Sequence, residues 1–476
     1  MDAFWIELDT SLPESLADYP SSIARDSIAA ALHQVNVSLT AVTPEEAIIL
    51  VQTEPRVLLF SATTPEWQRA VQVASQLRDL SPQSVLVVGG HHVSALPQGY
   101  GTQIFDYVIV GEGEEILQEI ISDLSRRRMG LRNESRPQVL IAERITSLDG
   151  LPTPLRNINE VRRCRLRGLM SPSPSQQTGT AALLLSRGCN SRCTFCASHI
   201  VWGSELITRS AESAALEVRR LVDETGCNAM VFVDQAFGED TKWAKELCSR
   251  LQVLGTSLHA KWYCMAKTSL NRMLLEDMAS AGCRKIGFGI ETANPERRKA
   301  VKHCENCDIE NLNCLFRLCN KLGILVKVYF IIGFPWETPE YLLETTRAYL
   351  ENMEANELKI SYFTPFPETE DWSIYKDQLI TSDWADFDTV KMPIVYNPGI
   401  SVGEYHEIRT ALFRSFYGSK TYAKVTRQMI GAYPHYIDSY REFADYLFHF
   451  GMVSEDAPWL EWIRCGLGSN ASVAVG

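Results

Sequence analysis

Short apolar runs alternate with amphipathic helical stretches along most of the 476 residues, and the alternation comes in two separate series. In the first, Phe4–Leu8, Val35–Ala41, Val57–Phe60, Val85–Val88 and Tyr107–Val110 read as strands. Ser22–Gln34, Glu45–Val51, Glu66–Leu80 and Glu114–Leu124 read as the helices between and after them. Strand–helix–strand alternation predicts a parallel sheet with helices on both faces, and Gln138–Ala142 is expected to return to that sheet as a further strand. A second series begins near residue 180, with strands at Ala182–Leu185, Ala229–Val233, His259–Cys264, Lys285–Ile290, Val326–Ile332 and Leu358–Phe363. Six β/α units at this spacing predict a partial barrel, although periodicity alone does not separate a barrel from a second flat sheet. The fold class is therefore α/β. Residues 1–130 form one domain, 131–179 a linker, 180–370 the partial barrel, and 371–476 a mainly helical, aromatic-rich region.

Both series place their chemistry at strand ends. The first sheet ends its strands in Ser61-Ala62-Thr63-Thr64, Gly89-Gly90-His91-His92 and Gly111-Glu112-Gly113-Glu114. Polar or glycine-rich ends of this kind are where parallel sheets hold ligands. The first strand of the second series runs into Ser186-Arg187-Gly188-Cys189-Asn190-Ser191-Arg192-Cys193-Thr194-Phe195-Cys196. The chain has 13 cysteines and a start without a basic, apolar leader, so thiols or metal ligands are expected rather than disulfides. Cys-x3-Cys-x2-Cys in one loop lets three thiolates converge on an iron–sulfur cluster and leaves one iron of a 4Fe–4S cluster open. A zinc site, with His199 as the fourth ligand, is the alternative.

Other elements have two readings. Cys304-Glu-Asn-Cys307, with His303, Cys314 and Cys319, is either a second metal half-site or a set of incidental thiols. Cys227, Cys248, Cys264 and Cys283 read as isolated, buried thiols. The basic cluster Arg162, Arg163, Arg165 and Arg167 is either solvated linker charge or a contact with a cofactor or anionic substrate. Tyr405, Phe413, Phe416 and Tyr417 either wall a substrate cavity or pack helices together. The net charge of −12 argues against a nucleic-acid partner, and no apolar run is long enough to predict a membrane span.

Cys189, Cys193 and Cys196, with the aromatic Phe195 between the last two, resemble the signature of the radical S-adenosylmethionine (SAM) enzymes. Further elements are similar to that family in its own order: Val231–Asp234, Gly287-Phe288-Gly289-Ile290-Glu291-Thr292, and Phe330–Pro335 with Glu337-Thr338. The resemblance implies a 4Fe–4S cluster on the three cysteines and SAM on its open iron. It also implies Glu291 at the methionine amino group or the ribose, Gly333 and Pro335 at a turn close to the adenine, and Phe195 packed nearby. Residues 88–97 and 106–115 resemble the cobalamin-binding domain fused to many radical enzymes. That makes the first domain Rossmann-like and implies that Ser61, Thr63, Gly89, Gly90, His91, Gly111, Glu112 and Gly113 line a corrinoid.

The Asp-x-His-x-x-Gly motif that supplies a lower cobalt ligand in many cobalamin proteins is absent, so a base-off corrinoid is implied, or a domain that kept the fold and lost the cofactor. Pro367-Glu368-Thr369 stands where many members have Pro-Gly-Thr, and Gln235 stands where a second acid is common. The family's chemistry implies SAM cleavage to a radical, hydrogen abstraction from an unactivated carbon, and methyl transfer from methylcobalamin to a small-molecule or peptide substrate. An electron donor such as flavodoxin or ferredoxin and a cytoplasmic location follow from the same resemblance. Radical cyclisation, rearrangement or oxidation without methyl transfer, and a non-catalytic iron–sulfur or corrinoid carrier, are the alternatives.

Overall fold

The computed structural model describes residues 2–8, 22–127, 137–255, 259–302 and 308–465. The first sheet comprises β1 (Asp2–Ile6), β2 (Ser38–Val42), β3 (Val57–Ser61), β4 (Val85–Gly89), β5 (Tyr107–Val110) and β6 (Gln138–Ile141). All its pairings are parallel, in the order β2-β1-β3-β4-β5-β6. Side chains on a strand alternate between faces. On β1, Phe4 and Ile6 enter one core, with Leu58, Phe60 and Trp67, while Ala3 and Trp5 enter the other, with Ile28, Leu32 and Ile121. The sheet is thus covered by helices on both faces. Its order reverses at β1/β3, and a crevice opens there at the carboxyl ends of the strands.

Val35 and Asn36 do not belong to β2, contrary to the sequence reading. Val35 caps helix Ile23–Gln34, and Asn36 turns the chain at φ 58° before the strand begins at Ser38. Asparagine tolerates this left-handed conformation better than a β-branched residue does.

The second sheet comprises β7 (Thr180–Leu183), β10 (Ala229–Phe232), β11 (Lys261–Ala266), β12 (Cys283–Glu291), β13 (Leu325–Ile332) and β14 (Glu357–Tyr362). A short antiparallel pair, β8 (Ser186–Arg187) with β9 (Ile207–Thr208), interrupts the series after β7. The six long strands pair in parallel and in chain order, β7-β10-β11-β12-β13-β14. Consecutive right-handed crossovers put every connecting helix on the same side and curl the sheet. This is an open six-stranded barrel, with β7 and β14 as its unpaired edges. Its outer face packs Met230, Phe232, Ile286, Phe288, Val326, Val328 and Ile360 against the helices. Its inner face carries Val231, Tyr263, Lys285, Lys327, Tyr329 and Glu357.

Segment 166–170 and the carboxyl-terminal helices cover the gap between β7 and β14. Leu169 N–H donates to Glu357 (3.2 Å), Met170 N–H to Ser439 Oγ (3.0 Å), and Leu358 N–H to Tyr417 Oη (3.0 Å). Helix Val402–Gly418 begins with a full capping box formed by Ser401 and Glu404. Nearer the first sheet, Arg156 is buried between Asp26 and Glu217 at 3.3 Å from each, and so ties the two halves of the chain together.

Cys227, Cys248, Cys264 and Cys283 are all buried, but they are not all isolated. Cys264 and Cys283, on the adjacent strands β11 and β12, share a hydrogen bond that raises the Cys264 thiol pKa further, beyond the effect of burial. Cys314 and Cys319 lie on helix Ile309–Lys321, with Cys319 in the core. His303, Cys304 and Cys307 lie outside the described residues. Among the described residues, no helix is long and apolar enough to cross a membrane.

Candidate functional site

β7 ends at Leu183, and the chain enters the cysteine loop through β8. The loop is anchored on two sides. Thr194 N–H donates to Val301 O (2.9 Å), while Asp371 N–H donates to Thr194 O (3.1 Å) and Thr194 Oγ1 donates to Asp371 (3.0 Å). Burial, with Glu370 adding to it, pushes the Asp371 carboxyl up to about 6 against the lowering effect of the Thr194 hydrogen bond. Burial also pushes the Cys193 thiol up to about 11. Lys302 opposes this, and Cys196, Glu291 and Cys189 add to it. The three cysteines, Glu291 and Lys302 are therefore electrostatic neighbours.

Crowded, half-buried thiolates repel one another unless cations neutralise them, and iron in a cluster does this. Among the described residues, no group of three His, Cys, Asp or Glu side chains is already placed to hold a metal ion. Three thiolates carried on one loop are a donor set that an iron–sulfur cluster takes.

Glu291 ends β12 at φ 67°, just past a register shift at Gly289. A non-glycine residue held in this region marks a place where the fold stores strain, often at a site. Lys302 Nζ donates to Glu291 Oε1 (3.1 Å) and to Gly289 O (2.8 Å). A Cβ at residue 289 would lie 2.2 Å from Glu291 Oε1, so only glycine leaves room for this pair.

Gly333 turns at φ 98° after β13, and Glu337 clamps the turn by accepting N–H from Gly333 (2.7 Å) and Phe334 (3.1 Å). Phe334 stacks on Phe363 (centroids 4.5 Å apart), and Phe195 packs against the same apolar cluster. The cysteine loop and the Gly333 turn are thereby brought together. Pro335 is half-buried in that turn. Glu368 adopts φ 62°, a conformation in which the glycine of Pro-Gly-Thr would be at ease.

Full burial lifts the Glu337 carboxyl from 4.5 to about 8, against the lowering effect of the two N–H donors. Between these values folded Glu337 keeps a proton that the unfolded chain releases, so its contribution to stability falls as pH rises through the window. Glu337→Gln, which keeps an oxygen for both N–H groups and cannot ionise, is expected to flatten that slope. Urea midpoints at pH 5, 6, 7 and 8 check this: the variant should gain on wild type steadily toward pH 8. A constant offset would mean that Glu337 does not titrate there.

At the β1/β3 crevice, a cavity of about 370 Å³ is lined by Ser61, Gly89, Gly90, His91, Gly111, Glu112 and Gly113, a size in the range of small-molecule sites. A Cβ on Gly90 (φ 100°) would lie 2.7 Å from Ala62 O, so the chain can pass here only as glycine. The cavity's other wall belongs to the barrel and the cysteine loop, through Leu184, Arg187, Ser198, Trp202, Val233 and Gln235. Gln235 Oε1 is buried there without a hydrogen-bond partner. Glycine-smoothed strand ends facing an apolar wall suit the edge of a large planar cofactor.

Thr63 stands outside this cavity, with its hydroxyl on Glu66 (2.7 Å), and borders a second cavity with Phe195, Cys196 and Pro367. His91 and Ser198 line both cavities. His92 instead stacks on Trp67 (4.7 Å), where burial brings its imidazole down to about 4. His33 lies in a separate polar groove beside Asn36.

A link between the two domains went unseen in the sequence. Arg187, two residues before Cys189, donates to Glu112 (2.7 Å) and Glu114 (2.5 Å), with all three side chains buried. Its guanidinium lies over Trp202, 4.9 Å from the ring centroid. Glu112 also accepts the Ile145 N–H (2.9 Å), so its carboxylate serves the interface as well as lining the cavity.

The fold and site define a class: a doubly wound ligand-binding sheet facing an open parallel barrel whose mouth carries a three-cysteine loop. Residues 14–121 match the B12 binding domain and residues 183–348 the radical SAM superfamily. The chain thus carries an amino-terminal B12-binding domain followed by a radical SAM domain. These domains imply a 4Fe–4S cluster, SAM and cobalamin as cofactors.

The chain is 25% identical over 393 residues to an uncharacterised methyltransferase of Pyrococcus horikoshii, covering 78% of this chain and 80% of the relative. It is 24% identical over 381 residues to the anaerobic magnesium-protoporphyrin IX monomethyl ester cyclase of Cereibacter sphaeroides, covering 77% of this chain and 60% of that protein. In fold it resembles the radical SAM methyltransferase TsrM from Kitasatospora setae, solved with cobalamin and a [4Fe-4S] cluster bound. The TM-score is 0.67 at 16% identity, over 94% of this chain and 99% of that one.

Proposed function

We propose that the protein is a cobalamin-dependent radical SAM enzyme that methylates an unactivated carbon of a small-molecule or peptide substrate. The observation that carries this reading is a shared lining: His91 and Ser198 border both the glycine-lined cavity and the one bordered by Cys196 and Phe195. Groups bound in two cavities that share lining residues would lie close to one another. When bound, the cofactors supply a carbon-abstracting radical and a transferable methyl group.

The protein's own residues hold and orient. Cys189, Cys193 and Cys196 bind the cluster and leave one iron for SAM. Glu291, held by Lys302, takes a polar group of SAM, while Gly333, Pro335 and Phe195 shape the adenine side. Ser61, Gly89, Gly90, His91, Gly111, Glu112 and Gly113 line the corrinoid, with Thr63 at its margin. Packing of the two domains through Arg187 keeps water from the space between them. The reading includes a flavodoxin- or ferredoxin-like electron donor and a cytoplasmic location.

Similarity to a cyclase favours a second reading, in which the same radical closes a ring. Anaerobic purification from cobalamin-supplied cells, with quantification of iron, sulfide and corrinoid, tests the cofactor assignment. About four irons and one corrinoid per chain are expected, and iron without corrinoid after reconstitution would refute cobalamin dependence. Product mass then separates the two chemistries, since only methyl transfer adds a methylene.

A further inference from the structure

The chain leaves β12 through a three-residue turn: Thr292 N–H donates back over Glu291 to Ile290 O (2.9 Å), with Glu291 at φ 67°. A turn of this size with a positive central φ is rare and strained, so surrounding contacts must hold it. Asn294 caps the helix that follows, Pro295–Lys302, by accepting the Arg297 N–H (3.0 Å). Proline comes next, at the first helical position, where its missing N–H costs nothing. Starting the helix there puts Arg298 and Lys302, four residues apart, on one face.

Lys302 holds the side chain of Glu291, and Arg298 holds its backbone. Arg298 is only 1% exposed. Its Nε donates to Ile290 O (3.0 Å) and to Thr292 O (3.1 Å), the carbonyls on either side of Glu291. A guanidinium is costly to bury unless its N–H groups are paired, and its planar fork reaches several acceptors at once. Nη2 donates to Tyr349 Oη (2.9 Å), and the guanidinium lies 5.5 Å from the centroid of that ring. Just before Tyr349, a π-helical turn, Tyr341–Thr346, puts Tyr341 Oη 3.1 Å from Thr292 Oγ1. Such turns occur mostly at functional sites. Both tyrosines follow the Gly333 turn in the chain, and the helix that carries Arg298 meets the cysteine loop where Val301 O accepts the Thr194 N–H (2.9 Å). Arg298 thus stands among the three segments that would hold SAM.

We propose that Arg298 is a positioning residue for SAM: by fixing the carbonyls of Ile290 and Thr292, it keeps the strained Glu291 turn in register with the cysteine loop. That Glu291 takes a polar group of SAM rests on the function proposed above. Arg298 does not touch SAM and acts through Glu291.

The test is SAM affinity, measured by anaerobic equilibrium dialysis on the reconstituted full-length protein, with iron and corrinoid per chain determined on the same samples. Arg298→Leu is expected to weaken SAM about tenfold while iron and corrinoid stay at the wild-type level. Arg298→Lys keeps the charge but cannot span both carbonyls, so its affinity should fall between the two. Tyr349→Phe, which removes one anchor of the guanidinium, should cause a smaller loss and decides the matter should the leucine variant fail to fold. Because Arg298 acts through Glu291, Arg298→Leu should cost little more once Glu291→Gln is in place. SAM affinity unchanged in both Arg298 variants, beside a weakened Glu291→Gln, would overturn this proposal alone. So would full additivity of Arg298→Leu and Glu291→Gln, which would make the two residues independent. Iron lost in step with SAM in Arg298→Lys and Tyr349→Phe would show a general structural residue and overturn it too. Wild-type protein that binds SAM no better than Glu291→Gln does would sink the role given to Glu291, and this proposal with it.

Discussion

Replacing Arg187 with methionine is expected to cost about 3–5 kcal/mol, the usual penalty for removing one partner of a buried ion pair, and to release the corrinoid before the iron. The side chain sits between Glu112 and Glu114, and burial opposes its charge while both carboxylates restore it. Without Arg187, Glu112 keeps a looser neighbour, Arg144 at 3.7 Å, while Glu114 loses a contact of 2.5 Å. Two acids on a glycine-rich loop would then turn toward water and carry Gly111 and Gly113 with them. Lysine at 187 keeps the charge but cannot fork between two carboxylates or lie flat on Trp202, so an intermediate loss is expected. The triple variant Arg187→Met, Glu112→Gln, Glu114→Gln should recover much of the stability, because it removes the two buried carboxylate charges together with their shared partner. Corrinoid-to-iron ratio and urea midpoint, measured together, check this. Equal loss of both cofactors in the single variant would show Arg187 to be a general structural residue, and full corrinoid retention would show the link to be dispensable.

That link marks the limit of what a sequence conveys. Strands buried on both faces are written as continuous apolar runs, such as Val57-Leu58-Leu59-Phe60, and all twelve parallel strands were found within a few residues of their place. The cysteine loop and the glycine-rich strand ends were legible because spacing and backbone freedom are local properties. Arg187 and Glu112-x-Glu114 stood in plain view, but nothing local says that residues 73 and 75 positions apart will meet. Lys302 gave no sign of its partnership with Glu291, since a lone lysine ending a helix is ordinary. A fainter signal did exist in the barrel. Lys285, Lys327 and Glu357 break otherwise apolar strands, and on paired strands such charges must face inward together. Chain-order pairing, which makes this sheet a barrel and the first one flat, is decided by packing between units and so leaves no mark in periodicity.

Gly188→Ala is expected to strip the protein of most of its iron while leaving all three cysteines in the chain. Gly188 adopts φ 87°, where an alanine costs about 1–2 kcal/mol before any contact is considered. The contact is the larger problem. A Cβ there would lie 2.0 Å from the Glu205 carbonyl oxygen and 2.9 Å from its carbon. Both are backbone atoms, so no rotamer change relieves the overlap; the β8–β9 pair must part or the loop must shift. Arg187 pairs with Ile207 in that hairpin, and Cys189 is the next residue after the glycine. Either movement carries the Cys189 sulfur away from Cys193 and Cys196, whose own segment is pinned through Thr194 to Val301 and Asp371. A cluster held at three corners does not tolerate the loss of one. Iron and sulfide analysis after anaerobic reconstitution should show a severalfold drop with corrinoid binding largely kept, the opposite pattern to Arg187→Met. A variant that loads iron like the wild type would mean that the hairpin yields freely and that Gly188 does not position Cys189.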